Sequence, residues 1–464
     1  MADGDDLWFH IKDLPGSHVI IKTNLEVTTE SLILETAKLC AANSKVSGID
    51  NLYLNGDAII DVKKDFTSND FVSKIDLTKS SLHLKEFDVT KDDGLEGGLN
   101  FILSVLNNKI SINNISLWKK NISQISAVKI YGDVVFDLEP FMITKLEIKN
   151  HNFGKNDYDI FYVADKKTSK QNLNIKGKYL NLAALLDSKI FSSSSSSNKF
   201  SNSQIQIVLN DLNLLGDKKI RNLYFFLNCK NNFCFDGVAN ASYSKSNAIS
   251  LRLTNTQKNI ANLNGTINNI GYLAEAFGIS KVVSLGNAKI KAQNQMVEGK
   301  QNLSGEVKID NPITFYESET VKKLAKDDLF SKIQDTIFSN NKTTFDSLKL
   351  DFAVNKDALT INSLIANNYK IGITAKGVVN LKSDNYAIKG MIIPGFVINN
   401  LFGIGKIPLI GGVISGVLTG GDGGGLFGIR YEYVKKAGDK EGVFTTNKVS
   451  SFLPTTIQNL FDEI

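Results

Sequence analysis

The chain has 464 residues, 42% of them hydrophobic and 22% charged, with a formal net charge of +5. That balance excludes a disordered polymer, which carries fewer apolar residues and more net charge. A charge of +5 spread over this length also leaves any nucleic-acid role dependent on a local basic patch.

The N-terminus, MADGDDLWFHIKDLPGSH, has neither a basic n-region nor an apolar h-region and does not read as a signal peptide. A helix is expected from Thr29 to Asn43, with Thr28 or Thr29 as its cap.

From about residue 50 to 390 the dominant signal is period two, the mark of strands with one apolar and one polar face. In Gln204–Leu209, Ile205, Ile207 and Leu209 alternate with Gln204 and Gln206. In Ser250–Thr254, Leu251 and Leu253 alternate with Ser250, Arg252 and Thr254. In Phe345–Val354, Leu348, Leu350, Phe352 and Val354 oppose Lys349 and Asp351. Turn formers separate such runs, as at Lys230-Asn231-Asn232, Asn355-Lys356-Asp357 and Ser383-Asp384-Asn385. Short turns between successive strands predict an antiparallel meander. Helices are expected only at Tyr179–Ile190, Gly271–Phe277 and Val321–Phe338. The last is amphipathic, with Val321, Leu324, Ala325, Leu329, Ile333 and Ile337 on one side, and reads as a lid on the sheet or as a membrane-surface helix.

Some thirty strands at ~4.8 Å each form a sheet on the order of 140 Å long, and open sheets of more than about ten strands curl. The fold class is therefore mainly β: a long curled antiparallel sheet forming a hydrophobic groove, a few short helices, and a small α/β remnant at the N-terminus. Its sections are 1–47, 48–191, a Ser-rich loop at 192–202, 203–390, and a Gly-rich segment at 391–464. The expected groove lining is Ile205, Ile207, Leu209, Leu251, Leu253, Leu348, Leu350, Phe352 and Val354, with ordinary core packing as the other reading.

The tract Met391–Gly421 is apolar, but Lys406, Pro394, Pro408 and many glycines interrupt it, and neither half reaches the ~20 residues that span a bilayer as a helix. It reads either as sheet or as an interfacial membrane contact through Pro394, Phe396, Leu401, Phe402, Ile407, Pro408 and Leu409. Cys229 and Cys234, with four residues between them, read as small buried side chains or one disulfide. No metal site is expected: neither they nor Cys40 have a ligating partner, and His10, His18, His83 and His151 are dispersed. The sequence lacks G-x-S-x-G, P-loop and H-E-x-x-H motifs, so neither an enzyme nor a cofactor is expected.

Two resemblances sharpen these expectations. The string IKGMIIPGFVINNLFGIGKIPLIGGVISGVLTGGDGGGLFGIRYEY resembles the closing segment of AsmA-like C-terminal regions in YhdP-type bridge-like envelope proteins. Gly390 and Pro394 match its Gly-x-x-x-Pro strand, and Ile407 to Gly411 its "iPliG" turn. VFTTNKVSSFLPTTIQNLF is similar to the family's ending, keeping Asn447, Ser451, Leu453, Pro454, Leu460 and Phe461, with Lys448 and Thr455 as departures. The similarity covers about residues 49 to 464. It implies a groove that shields phospholipid acyl chains in transit to the outer membrane, from a periplasmic position anchored in the inner membrane. The reading frame itself, with no signal or anchor, implies the cytoplasm. The other resemblance, over residues 4–47, is to the NFACT RNA-binding module of ribosome-quality-control proteins, through Trp8, His10, Pro15, Gly16, Ser17 and His18. Because that module is incomplete here, nucleic acid is not the expected partner; phospholipid acyl chains are, with a membrane surface second. An RNA-binding quality-control factor and a structural envelope β protein are the alternatives.

Overall fold

A computed structural model describes residues 7–9, 19–21, 52–65, 67–68, 70–84, 89–120, 128–138, 141–165, 167–183, 201–216, 218–243, 247–278, 283–316, 341–369, 371–383, 385–394, 427–439 and 442–450. The expected helices at Thr29–Asn43 and Val321–Phe338 lie outside these residues. So do most of the Ser-rich loop and the tract from residue 395 to 421.

The fold is mainly β. Among the described residues, twenty-one strands belong to one large sheet that is not closed, the others form three small sheets, and there is one helix. The chain divides into two compact units, Met1–Phe161 with Tyr179–Asn198, and Tyr162–Lys178 with Lys199–Ile464.

Unit 1 begins with the antiparallel pair β1 (Leu7–Phe9) and β2 (Val19–Ile21), which sets Trp8 opposite Ile20. Next come β3 (Leu52–Gly56), β4 (Ile59–Asp65), β5 (Asp70–Asp76), β6 (Ser80–Leu84) and β7 (Val89–Lys91). Then follow β8 (Gly97–Leu106), β9 (Lys109–Lys119), β10 (Val128–Leu138) and β11 (Phe141–His151). Strands β3, β6 and β7 form a small sheet, while β4, β5, β8, β9, β10 and β11 are successive neighbours in the large one. Ile60, Ile75, Leu99, Leu117 and Ile130 are successive register partners, so one apolar row crosses this section. Lys91 is buried, and its ammonium donates to the carbonyls of Ser80 (2.6 Å), Asp92 (3.1 Å) and Thr78 (3.3 Å), which satisfies a charge that would otherwise be costly inside.

Strands β12 (Asp157–Asp165) and β13 (Lys170–Asn181) are divided between the units. In β13 exposed Lys170, Asn172, Asn174, Lys176 and Lys178 alternate with less exposed Gln171, Leu173, Ile175, Gly177 and Tyr179. The helix expected at Tyr179–Ile190 is corrected at its start, where Tyr179 to Asn181 complete this strand; residues 184–190 lie outside the described residues. The apolar run there is too short to distinguish helix from strand by spacing, and pairing in the sheet decides it.

Unit 2 carries β14 (Asn202–Asn213), β15 (Lys219–Lys230), β16 (Phe233–Ser242), β17 (Asn247–Gln257) and β18 (Ile260–Ile267). Helix α1 (Ile270–Ala276) follows, then β19 (Val283–Leu285), β20 (Ala288–Val297), β21 (Lys300–Ile309), β22 (Ile313–Tyr316) and β23 (Lys342–Phe345). The last strands are β24 (Ser347–Val354), β25 (Ala358–Asn367), β26 (Ile371–Asn380), β27 (Asn385–Pro394), β28 (Phe427–Lys435) and β29 (Val443–Ser450). All except β19, β22 and β23, which form a sheet of their own, follow one another antiparallel in the large sheet. The turns are those that suit tight hairpins: Asn231 and Asn232 both have positive φ (51° and 62°), as the two-residue connection from β15 to β16 demands. Helix α1 forms where Asn269 accepts a hydrogen bond from the Tyr272 amide at 3.0 Å, a side-chain N-cap. Gly271 lets this helix lie against β19, because a Cβ there would collide with the Ser284 backbone.

Candidate functional site

Residues directly opposite in an antiparallel ladder project from the same face, so the register of unit 2 maps its sheet face by face. One row passes through Ile207, Phe225, Ala239, Leu251, Gly265, Ile290, Val307, Leu350, Leu364, Ala375, Gly390 and Tyr431, each the direct partner of the next. A second row on the same face passes through Ile205, Leu227, Gly237, Leu253, Leu263, Ala292, Gly305, Phe352, Ile361, Gly377, Ile388 and Tyr433. Each row crosses twelve strands, which at ~4.8 Å per strand gives an apolar path about 50 Å long measured along the sheet.

Leu209, Leu348 and Val354 fall on this face too, so the register brings all nine of the lining residues picked from the alternation to a single surface. Sequence reading missed most of their neighbours. Phe225 and Leu227, Leu303, Val307 and Ile309, and Tyr431 and Tyr433 were all legible as the same alternation in β15, β21 and β28. Among the described strand residues from β16 to β27, no Asp, Glu, Lys or Arg lies on this face. The other face is polar. There Glu306 pairs with Lys349 (2.9 Å) and Lys308 (3.0 Å), and those hydrogen bonds, Lys349 foremost, hold its carboxyl below the ordinary range.

The apolar face is only partly covered. Leu209 and Leu253 are buried, whereas Ile205, Ile207, Leu251, Leu348, Leu350, Phe352 and Val354 retain intermediate exposure. At one end of the strands a dry core does form: Ile309, Ala366, Ile371 and Ile392 pack with Ile313 and Phe345 of the small sheet, and with Ile270 of α1.

At the other end the β15–β16 hairpin bends over the same face. Phe233, Leu227, Cys234 and Phe235 pack against Leu253, Ala261, Leu263 and Met296. The Cys234 amide donates to Gln301 Oε1 at 3.1 Å, and Asn294 donates to both the Cys234 carbonyl (2.8 Å) and Gln301 Oε1 (3.0 Å). In a flat sheet β16 and β21, four steps apart, would be about 19 Å from each other. The contact therefore requires this section to curve with its apolar face inward. A disulfide joins Cys229 to Cys234 across the same hairpin, settling the two readings of that pair.

At the far side of the face, on β27 to β29, aromatic rings gather. Tyr386 and Tyr433 have centroids 5.2 Å apart and hydroxyls at 3.2 Å, Tyr431 stacks on Phe444 at 5.8 Å, and Tyr431 Oη donates to the Thr374 carbonyl at 2.8 Å. Burial raises the Tyr431 phenol above its ordinary value, so it stays protonated and keeps the proton it donates to Thr374.

Of the other residues singled out in the sequence, the register places Pro394 on this face, and most of the rest lie outside the described residues. Trp8 lies on β1, while His10, Pro15, Gly16, Ser17 and His18 are outside the described residues. Of the membrane-contact candidates, Pro394 ends β27 opposite Ile371, and Phe396, Leu401, Phe402, Ile407, Pro408 and Leu409 are likewise outside. No group of three or more His, Cys, Asp or Glu suited to a metal occurs among the described residues. No described helix is long and apolar enough to cross a membrane. No protein-family model matches the chain, and no curated protein matches it.

Proposed function

We propose that unit 2 carries lipid: acyl chains lie along its inward-curving apolar face, and the protein works without covalent chemistry as a lipid-binding or lipid-transfer protein of the bacterial envelope. The observation that carries this reading is the run of uncharged apolar residues across the sheet that stay partly exposed: Leu251, Leu350, Phe352, Val354 and Ile361, together with Ile290, Val307 and Leu364, which also pack against the dry core at one end. A face packed solely for stability gains most when fully dry. This one keeps apolar surface open, as a surface awaiting an apolar occupant does. Transfer of a 16-carbon chain from water is favourable by about 0.8 kcal/mol per CH₂, roughly 12 kcal/mol in all, so such a face suffices to shield it.

Two further observations support the reading. The resemblance to AsmA-like regions of YhdP-type proteins points to phospholipid and to outer-membrane integrity. The Cys229–Cys234 disulfide favours an oxidising compartment such as the periplasm over a reducing cytosol. The test is native mass spectrometry of the full chain after gentle purification. Adducts of phospholipid mass are expected in the native chain and are expected to diminish in Leu350→Glu, which puts a charge in the middle of the apolar row. A lipid-free native chain with no uptake from phospholipid vesicles would refute the reading.

A further inference from the structure

The apolar face of unit 2 changes character at β28. Lys435 is the direct partner of Tyr386 and stands two residues from Tyr433, so all three project from the apolar face. Across the strands from β16 to β27 that face carries no charged side chain among the described residues, and Lys435 is the first cation met beyond them. Its ammonium lies 5.8 Å from the centroid of the Tyr386 ring, and the Tyr386 and Tyr433 hydroxyls are 3.2 Å apart. All three residues are half-buried. Phe444, opposite Tyr433, closes the cluster from β29 with its ring edge-on at 6.3 Å.

We infer that Lys435, Tyr386 and Tyr433 form a seat for the acidic headgroup of an amphiphile, a phosphate or a carboxylate, whose chain runs from there along the apolar rows. The inference rests on the lipid reading of the same face. An ammonium carries three donors; the Tyr386 hydroxyl gives its one proton to the Tyr433 oxygen, which leaves the Tyr433 hydroxyl its own to offer, so the cluster can turn several donors to one anion in addition to contacts it already makes. Hydrogen bonds to a charged oxygen are about twice as strong as neutral ones, and stronger again beside apolar surface that keeps water away. The adjoining face, uncharged through Ile388, Gly377 and Ile361, offers nothing to a second charge and suits a hydrocarbon tail. A chain with one acidic end is thereby oriented, head at β27–β28 and tail toward β25.

The experiment compares a fluorescent 16-carbon carboxylate with its methyl ester, each titrated into the full chain, the Lys435→Gln variant and the Tyr386→Phe/Tyr433→Phe double variant. The native chain is expected to prefer the acid by about tenfold, a ratio that one charge-assisted contact supplies. Lys435→Gln is expected to abolish that preference while binding the ester as the native chain does, which also shows that the variant is folded. The double variant is expected to lose part of the preference. Equal binding of acid and ester by the native chain, or an unchanged preference in Lys435→Gln, overturns the headgroup seat and leaves the lipid reading standing. Binding of neither probe by the native chain overturns both. Inorganic phosphate that displaces the acid at the acid's own concentration would make this a free-anion site and overturn the inference as stated.

Discussion

Tyr431 lies across Gly390: from β28 it reaches over β27 and donates its hydroxyl to the Thr374 carbonyl on β26 at 2.8 Å. The missing side chain makes the path. A Cβ at Gly390 would stand 2.8 Å from the Tyr431 oxygen and collide with the Thr374 carbonyl. Glycine inside a strand is otherwise a weakness, and here it marks the close approach of a neighbour. Gly390→Ala should therefore lower unfolding free energy by about 1–3 kcal/mol, and Tyr431→Phe by about 1 kcal/mol. In urea titrations the double variant should lose less than the sum of the two, because both changes break one contact. Strict additivity would place the contact elsewhere.

The Cys229–Cys234 disulfide closes a loop of a few residues at the tip of the β15–β16 hairpin. For a loop that short, the chain-entropy estimate is about 2 kcal/mol. Reduction should lower stability by that amount. It should also speed amide exchange at Cys234, whose N–H is held by Gln301. Gln301→Ala in the oxidised protein should speed the same amide. Exchange at Cys234 that ignores both changes would contradict the clamp.

Asp65 sets a pH window in unit 1. Hydrogen bonds from the Thr67 hydroxyl (2.6 Å) and amide (2.8 Å) to its Oδ1 lower its pKa from 3.8 to about 2. A carboxyl depressed in the folded state contributes stability that is fully present above its unfolded pKa and lost as pH falls through the folded one. The Asp65 contribution should therefore be complete above about pH 4 and vanish toward about pH 2, as carboxyl NMR titration can follow. In Thr67→Ala its midpoint should move back up toward 3.8. A midpoint unmoved by that substitution would remove the hydroxyl as its cause.

Lys91 tests the small sheet of β3, β6 and β7. Its ammonium answers three carbonyls at a buried position. Lys91→Met keeps the length of the side chain but removes the donors, and should cost about 3 kcal/mol. Lys79→Met, at an exposed position nearby, should change stability by less than about 0.5 kcal/mol. Equal effects would mean that the buried hydrogen bonds contribute little.

Period two was written plainly in the sequence, because each strand presents one wet and one apolar side: Lys349 and Asp351 against Leu348, Leu350 and Phe352. Which strands share a face was not legible. It depends on register, and register is shifted by irregularities such as those between Asp351 and Phe352 on β24 and between Ile361 and Leu364 on β25. No residue pattern announces these shifts. The cysteines were half-legible for the same reason. The turn Lys230-Asn231-Asn232 could be read, but the pairing of Cys229 with Cys234 needed the two-residue loop that the turn closes. At Tyr179–Asn181 the local apolar run suggested a helix, and continued alternation along β13 prevailed. The contact of Asn294 and Gln301 with Cys234 left no trace in spacing, since amide side chains are common on strand ends and only the bend of the sheet brings these together.

Leu350 and Lys349 are adjacent in the chain and project from opposite faces of β24, which makes them a matched pair of reporters. A photoreactive side chain placed at each in turn, followed by irradiation with phospholipid vesicles, reads directly which face meets hydrocarbon. Lipid adducts are predicted at position 350 and not at 349. Equal labelling at both positions, or none at 350 with the protein folded, would mean that the alternating apolar side chains serve only to hold the sheet together.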